Sequence, residues 1–109
     1  MDQIDQELRV VDNPAERRYE ALVGDRPAGI VTYRLRPGQI VFLHTEVLPA
    51  FEGRGIGRRL AAGVLDDARA RGLSVVPRCP FIAAYIRRHP AYAELVARLV
   101  AAPQCAGSS

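Results

Sequence analysis

The chain has 109 residues and a formal net charge of +3, which is the size of a single compact domain. Its composition, 49% hydrophobic and 25% charged, is ordinary for a soluble globular protein and excludes wholesale disorder. No apolar run approaches the roughly 18 residues that a membrane-spanning helix needs. The acidic first ten residues lack the apolar segment of a secretory signal.

Charge and cysteine usage narrow the expected partners and compartment. Arginines are mixed with acidic residues and no aromatic-plus-basic platform is present, so we expect neither a nucleic-acid nor a membrane partner. Two cysteines, Cys79 and Cys105, do not form a disulfide framework, which favours the reducing cytoplasm. We expect residues 1–109 to form one domain, with 102–109 as a flexible tail.

The first half of the chain reads as strands separated by turns. Turn signals at residues 13–14, 24–27 and 36–38 divide four stretches rich in β-branched and aromatic residues. This spacing predicts an antiparallel four-stranded meander. Strict alternation along the fourth strand would place Val41, Leu43 and Thr45 on one face. The other face would carry four side chains: Ile40, Phe42, His44 and Glu46.

The second half changes to a helical period at Gly55. The apolar face of this predicted helix consists of Leu60, Ala61, Val64, Leu65 and Ala68. Asp67 and Arg71 are spaced for an ion pair one turn apart, and Gly72 is a natural end of the helix.

A fifth strand and two more helices complete the predicted order. Residues 73–77 read as a short buried strand. Two apolar helical stripes follow, formed by Phe81, Ile82, Tyr85, Ile86 and His89 and then by Tyr92, Leu95, Val96, Leu99 and Val100. The predicted fold class is therefore α+β, an α/β sandwich.

Residues 52–60, EGRGIGRRL, place three alternating glycines directly before a helix. A P-loop would need Lys and a hydroxyl residue after the glycines, and the dinucleotide fingerprint would need a different glycine spacing. Glycines let a phosphate approach the free N–H groups at a helix start, where the helix dipole is positive. The spacing alone leaves two interpretations open, a phosphate cradle and a simple turn.

The motifs HTEVLPAFEGRGIGRRL and VVPRCPFIAAYIRRHPAY resemble those of the GNAT superfamily of acyl-CoA-dependent N-acetyltransferases. The similarity is to a small single-domain branch with HTEV before the glycine loop and Cys before the final helices. It spans roughly residues 5–100 in element order. Glu52 replaces the usual Arg or Gln at the first loop position, and the N-terminal helices that build an acceptor pocket in larger relatives are missing.

This resemblance implies a binding site for acetyl-CoA or coenzyme A. Strand 4 near Glu46, Val47 and Leu48 would line the pantetheine arm through backbone groups. The backbone amides of the loop and first helical turn would hold the pyrophosphate, from Gly53 through Arg54, Gly55, Ile56, Gly57, Arg58 and Arg59. The acceptor implied is a primary amine.

Cys79 is the first candidate for the chemistry. Pro80 favours a helix start there, so Cys79 would be the N-cap beside Arg78, a setting that favours the thiolate. The resemblance puts this cysteine where the acetyl thioester arrives, either to become acetylated or to stand beside a direct transfer. The structural alternative is a small buried residue that fills a gap in the core.

Glu46 is the candidate general base, because an ammonium acceptor must lose a proton before it attacks a thioester. His44 is its competitor, since an ordinary imidazole titrates near neutrality, although a hydrogen-bonded structural histidine is the simpler interpretation. A strand-end carboxylate paired with an arginine is the corresponding alternative for Glu46. The resemblance suggests Tyr85 as a proton donor to the departing thiolate, but its place on an apolar stripe favours packing. The two histidines give no metal-site spacing.

The sequence therefore predicts an acyl-CoA-dependent N-acetyltransferase. The second hypothesis is a CoA or acyl-CoA binding module without turnover, and the third is an interaction domain whose glycines form only a turn. Cys79→Ala separates the first two, since a module should bind acyl-CoA equally well without the thiol.

Overall fold

A computed structural model describes residues 8–96 and shows the α+β architecture that the sequence predicts. In chain order, its strands and helices are β1 (Leu8–Asn13), β2 (Arg18–Val23), β3 (Arg26–Arg36), β4 (Gln39–Val47), α1 (Ile56–Ala70), β5 (Ser74–Pro77) and α2 (Pro80–Arg88). Residues 93–96 are again helical. The predicted tail at 102–109, and the part of the last helix at Leu99 and Val100, lie outside the described residues.

The five strands form one sheet in the order β1-β2-β3-β4-β5. The first four are antiparallel neighbours, as the meander prediction requires, whereas β5 runs parallel to β4. This last pairing is short and joins residues 39–42 to residues 74–77. The rest of β4, residues 43–47, extends past the end of β5, so the sheet opens there on one side.

Both helices pack on the same face of the sheet. Their buried apolar residues, among them Leu60, Val64 and Ile82, join the inward side chains of the strands in one core. Helix α1 ends before Gly72, as predicted, with the Leu73 amide donating to the Ala68 carbonyl at 2.9 Å. No helix in the described part of the chain is long and apolar enough to cross a membrane.

The prediction that four alternating side chains share one face of β4 is wrong. Ile40 and Phe42 are fully buried under the helices, whereas His44 and Glu46 are exposed. A β-bulge causes this change, because the register of β3 against β4 skips Leu43. One extra residue in a strand reverses the alternation of every side chain that follows it.

The bulge turns Thr45 and Val47 toward the helical side of the sheet. Val47 packs against the core, and Thr45 contacts the buried Cys79. The same reversal leaves His44 and Glu46 on the opposite, open face. The strand therefore delivers different side chains to the site from those that strict alternation predicts.

Candidate functional site

The candidate site lies where β4 and β5 separate. The last residue pair between the two strands is Phe42 with Pro77, and the Cys79 amide then donates to the Phe42 carbonyl at 2.9 Å. This bond fixes the start of α2 against β4. Cys79 and Thr45 therefore face each other across the gap, with Sγ and Oγ1 3.2 Å apart.

Cys79 is the N-cap of α2 and Pro80 is its first helical residue, as the sequence predicts. The side chain of Cys79 makes no capping hydrogen bond, so its sulfur is directed to Thr45 rather than to the helix amides. The residue is only 2% exposed and belongs to the hydrophobic core. Cys79 is therefore held at the gap, but within the protein rather than on its surface.

The loop before α1 has a backbone that depends on glycine at two positions. Gly53 and Gly55 have φ angles of 82° and 77°, in the left-handed region that L side chains rarely adopt. Gly55 is the N-cap of α1, and no side chain caps this helix end or adds an acidic group to its first turn. The positive end of the helix dipole, at the first helical amides, is therefore not compensated by a capping or acidic side chain of the first turn.

Arginine side chains surround this uncapped helix end. The guanidinium of Arg58 lies beside Gly55, about 3.1 Å from where a Cβ would stand. The guanidiniums of Arg54 and Arg26 lie over the ring of Phe51, at 5.6 and 5.2 Å from its centroid. Phe51 is buried and provides a fixed surface for one cation of the loop, Arg54, and for Arg26 of β3.

Gly57 has a different role from the one that the phosphate interpretation gives it. A Cβ at Gly57 would lie 2.9 Å from Cζ of Phe81, so the aromatic ring occupies the space that the missing side chain leaves. Phe81 belongs to the first turn of α2 and remains 41% exposed. The third glycine thus accommodates a ring from the neighbouring helix.

An apolar cavity of about 280 Å³ lies between the loop and the end of β4. It is bordered by Val47, Phe51, Gly55 and Phe81, together with the remaining loop residues 52–53 and 56–58. Two predicted cofactor contacts, the strand end and the glycine loop, therefore line one cavity. Two of its lining residues, Val47 and Phe81, each lie two residues after a gap residue, Thr45 and Cys79 respectively.

A second cavity, of about 400 Å³, lies on another side of the same helix start. Its lining consists of Arg54, Gly55, Arg58, Arg59, Ala62, Tyr85 and His89. Tyr85 stacks on the imidazole of His89 at a centroid distance of 3.9 Å, and its carbonyl is 2.9 Å from Nδ1 of that ring. The structure thus places Tyr85 with the loop arginines and not among the residues that line the apolar cavity.

The backbone of Leu48 has partners within the protein. Its amide donates to the Ala28 carbonyl at 2.8 Å, and its carbonyl accepts from Phe51 at 2.8 Å. A pantetheine acceptor at the Leu48 amide, which the resemblance implies, would compete with the bond to Ala28, whereas the Leu48 carbonyl can accept a second hydrogen bond. The Leu48 side chain is 39% exposed beside the strand end.

Two contributors to the site escape sequence reasoning. Thr45 lies in the HTEV motif. Strict alternation places it on the opposite face of the strand from Glu46, but it does not predict the contact with Cys79. Phe81 has the spacing of a core residue. The only sign in the sequence that its ring packs on the loop is the absence of a side chain at Gly57. Both contacts depend on the bulge or on how two distant helices approach each other.

The chain belongs to the family described as GCN5-related N-acetyl-transferase, whose profile matches residues 18–95. The matched region begins at β2 and extends through the gap, the glycine loop and α2. The family, the opened sheet and the loop agree with the resemblance that the motifs carry.

Two curated relatives are proteins named Protein NATD1, one from Mus musculus and one from Homo sapiens. Each is 32% identical to this chain over 85 residues, which cover 76% of the chain. The match covers 77% of the mouse protein and 75% of the human protein.

Proposed function

We propose that this protein transfers an acetyl group from acetyl-CoA to a primary amine. The observation that carries the proposal is the shared position of two features. The thiol of Cys79 lies at the point where β4 and β5 separate, and the end of the same β4 strand at Val47 borders a cavity that is also lined by an uncapped, glycine-containing helix end. Family membership supports acyl transfer as the class of reaction. The cytoplasm, which the cysteine usage predicts, belongs to the same proposal.

Residues of the loop and of α1 bind the cofactor in this proposal. The amides from Gly53 to Arg59 hold the pyrophosphate, and the guanidiniums of Arg54 and Arg58 offset the negative charge of Glu52. The arginine-lined cavity with Tyr85 and His89 has room for the nucleotide end of CoA. Val47 and Leu48 border the path of the pantetheine arm toward Cys79.

Glu46 and His44 act on the acceptor side. Both are exposed on the open face of β4, where an amine can reach them from solvent. Glu46 takes a proton from the incoming ammonium, directly or through water, and the free amine then attacks the thioester carbonyl. The C–S bond breaks, and the thiolate of CoA receives a proton. The resemblance suggests Tyr85 for this last step, but Tyr85 lines the cavity that we give to the nucleotide end of CoA, so we assign this proton to solvent instead.

Cys79 has two possible roles in this scheme. In one, its thiolate attacks the thioester carbonyl, CoA leaves as the thiol, and the amine then takes the acetyl group from the cysteine. In the other, Cys79 and Thr45 shape the gap through which the amine attacks directly. The two roles differ in one observable, an acetylated Cys79 of the protein after exposure to acetyl-CoA alone.

A CoA-binding module without turnover is the second candidate. The 2% exposure of Cys79 favours it, because a nucleophile must reach its carbonyl and this sulfur is enclosed by the core. Glu52 at the start of the loop also weakens the electrostatic attraction of a phosphate.

The test compares CoA release with acetyl-CoA binding across three variants. Acetyl-CoA and a panel of primary amines are supplied to the wild type and to Cys79→Ala, Glu46→Gln and His44→Asn. We expect turnover with at least one amine, its loss by about 100-fold or more in Cys79→Ala or Glu46→Gln, and unchanged acetyl-CoA affinity. Saturable binding without amine-dependent CoA release in the wild type would favour the module.

A further inference from the structure

A second charged depression lies on the open face of the sheet, away from the helices. Its floor is apolar and its rim is cationic. Val41 on β4 pairs in register with Arg34 on β3 and with Val76 on β5, so one row of side chains crosses three strands. The resulting groove has a volume of about 280 Å³. We call it the arginine groove, and its relevant lining is Arg34, Arg36, Arg78, Val41, Leu43 and Val76.

The three arginines of the groove form no ion pair within residues 8–96. The ion pairs found there include those of Arg18, Arg69 and Arg71, and none involves Arg34, Arg36 or Arg78. All three groove arginines are exposed to solvent. Like charges gathered over a concave apolar surface repel one another and raise the local positive potential. Such an arrangement attracts an anionic group that can pair with the planar guanidinium forks.

The arginine groove also borders the proposed reaction centre. Along β4, the order is Val41 and Leu43 in the groove, Thr45 at the gap, and Val47 in the apolar cavity. The segment that follows β5 passes the same features in the same direction. Arg78 lies in the groove and Cys79 at the gap. Phe81, two residues further, lines the apolar cavity, so in chain order the Thr45–Cys79 contact lies between the arginine groove and the apolar cavity on both segments. At about 3.3 Å per residue, Leu43 and Val47 are roughly 13 Å apart.

The two depressions open toward different faces of the sheet. Val47 packs with the core on the helical face, whereas Val41 belongs to the open face, and the bulge at Leu43 separates them. A cofactor bound at the loop would therefore approach the gap from one face. A second substrate could approach from the other face, where Glu46 and His44 are also exposed.

We propose that the arginine groove binds the anionic group of the acceptor, a carboxylate or a phosphate, and so selects an acidic amine as the substrate. This inference rests on the proposed acetyltransferase function. The apolar floor accommodates the short aliphatic part of such a molecule, and the amine extends past Leu43 toward Cys79. An acidic acceptor also fits a chain whose groove cations lack partners among the described residues.

The test is an NMR titration of amide signals with two anionic probes, citrate and inorganic pyrophosphate, in the presence of saturating CoA. Occupying the loop with CoA keeps the probes from binding there. The variant is Arg34→Gln with Arg36→Gln, which leaves Arg78 beside Cys79 intact. The matched control is Arg87→Gln with Arg88→Gln, which removes two exposed arginines of α2 that lie outside the groove.

We expect saturable shifts of the Leu43 and Val76 amides that weaken by about tenfold or more in the groove variant and persist in the control. Tighter citrate binding would identify a carboxylate-bearing acceptor, and tighter pyrophosphate binding a phosphate-bearing one. The inference is overturned if neither probe shifts these amides or if both variants titrate alike.

The same titration separates this inference from the proposed function. CoA that shifts no amide in residues 53–59 contradicts acetyl-CoA binding at the loop and with it the acceptor role of the groove. Probe shifts at Leu43 and Val76 in that case still confirm an anion site. CoA shifts in the loop without probe shifts in the groove leave the acetyltransferase proposal standing and refute the acidic acceptor.

Discussion

At the scale of single residues, the alternating glycines of the loop meet different requirements. Gly53 and Gly55 supply left-handed backbone angles, and a Cβ at Gly53 would meet nothing within 4 Å. Gly57 instead leaves room for the ring of Phe81. The choice between a phosphate cradle and a simple turn, which the sequence leaves open, therefore has a different answer for each glycine. A phosphate can approach the first two glycines more easily than the third.

Two glycine substitutions should differ in their effect on stability. An alanine at Gly29 would place its Cβ 2.9 Å from the Glu46 carbonyl and 3.1 Å from Cδ1 of Leu60, where β3 meets α1. Because backbone and core must shift, Gly29→Ala should cost about 1–3 kcal/mol in urea unfolding. Gly57→Ala should change the free energy of unfolding by less than about 1 kcal/mol, since the exposed Phe81 ring can rotate away and alanine favours the helix. Equal losses in the two variants would contradict this account.

Thr45 should matter for turnover more than for stability. Thr45→Val keeps the shape of the side chain but removes the hydroxyl that lies 3.2 Å from Sγ of Cys79. We expect the free energy of unfolding to change by less than about 1 kcal/mol and turnover to fall several-fold, with acetyl-CoA affinity unchanged. Thr32→Val on β3 is the matched control. Wild-type turnover in Thr45→Val would show that the contact has no part in catalysis.

At the scale of elements, a polar cluster joins α1 to the first strands away from the site. The Tyr19 hydroxyl donates to Asp67 and the Tyr33 hydroxyl donates to Asp12, at 2.5 and 2.6 Å. Arg71 lies 3.2 Å from the Asp67 carboxylate and 3.6 Å from that of Asp12. The ion pair predicted one turn apart on the helix, Asp67 with Arg71, is confirmed. Tyr19 and Asp12 on the strands also contact this pair, so the cluster connects the helix to the sheet.

This cluster predicts a loss of stability at alkaline pH. Burial and the hydrogen-bonded Asp12 raise the pKa of Tyr33 to about 12, and burial with Asp67 also raises the pKa of Tyr19. Below about pH 10 both phenols are neutral in the folded and unfolded chain, so their contribution is fully present. As the pH rises above 10, the unfolded chain loses these protons first, and the free energy of unfolding falls.

Urea unfolding between pH 8 and 11.5 measures this effect. The chain has no lysine, since all fifteen of its lysine and arginine residues are arginine, so titration above pH 10 falls mainly on the tyrosines. Tyr33→Phe and Tyr19→Phe should each flatten the decline above pH 10. Tyr92→Phe should flatten the decline in the same way at another contact of α1. The hydrogen bond to Asp66 and burial raise the pKa of Tyr92 to about 12. A decline identical in the wild type and the Tyr19 and Tyr33 variants would contradict the assignment.

At the scale of the whole molecule, local signals predict the elements and long-range contacts decide the site. Turn residues and apolar periodicity predict the strands and helices, and Pro80 predicts the helix start at Cys79. The bulge at Leu43 has no local signature, and it alone turns Thr45 rather than Glu46 toward Cys79. The burial of Cys79 and the position of Phe81 over Gly57 likewise depend on how α2 packs. The family motifs predict where a cofactor would bind, but not the groove on the opposite face.

The central claim is that acetyl-CoA binds at the glycine loop, and calorimetric titration of Gly55→Asp against Gly55→Asn tests it most directly. Both substitutions carry the same backbone strain at a φ of 77°, and both place a side chain beside Arg58. Only the aspartate adds a negative charge where the pyrophosphate should lie. We predict one-to-one binding to the wild type, weaker binding to Gly55→Asn, and none detectable with folded Gly55→Asp. Equal affinities of the folded Asn and Asp variants, or no binding to the wild type, would contradict the phosphate cradle.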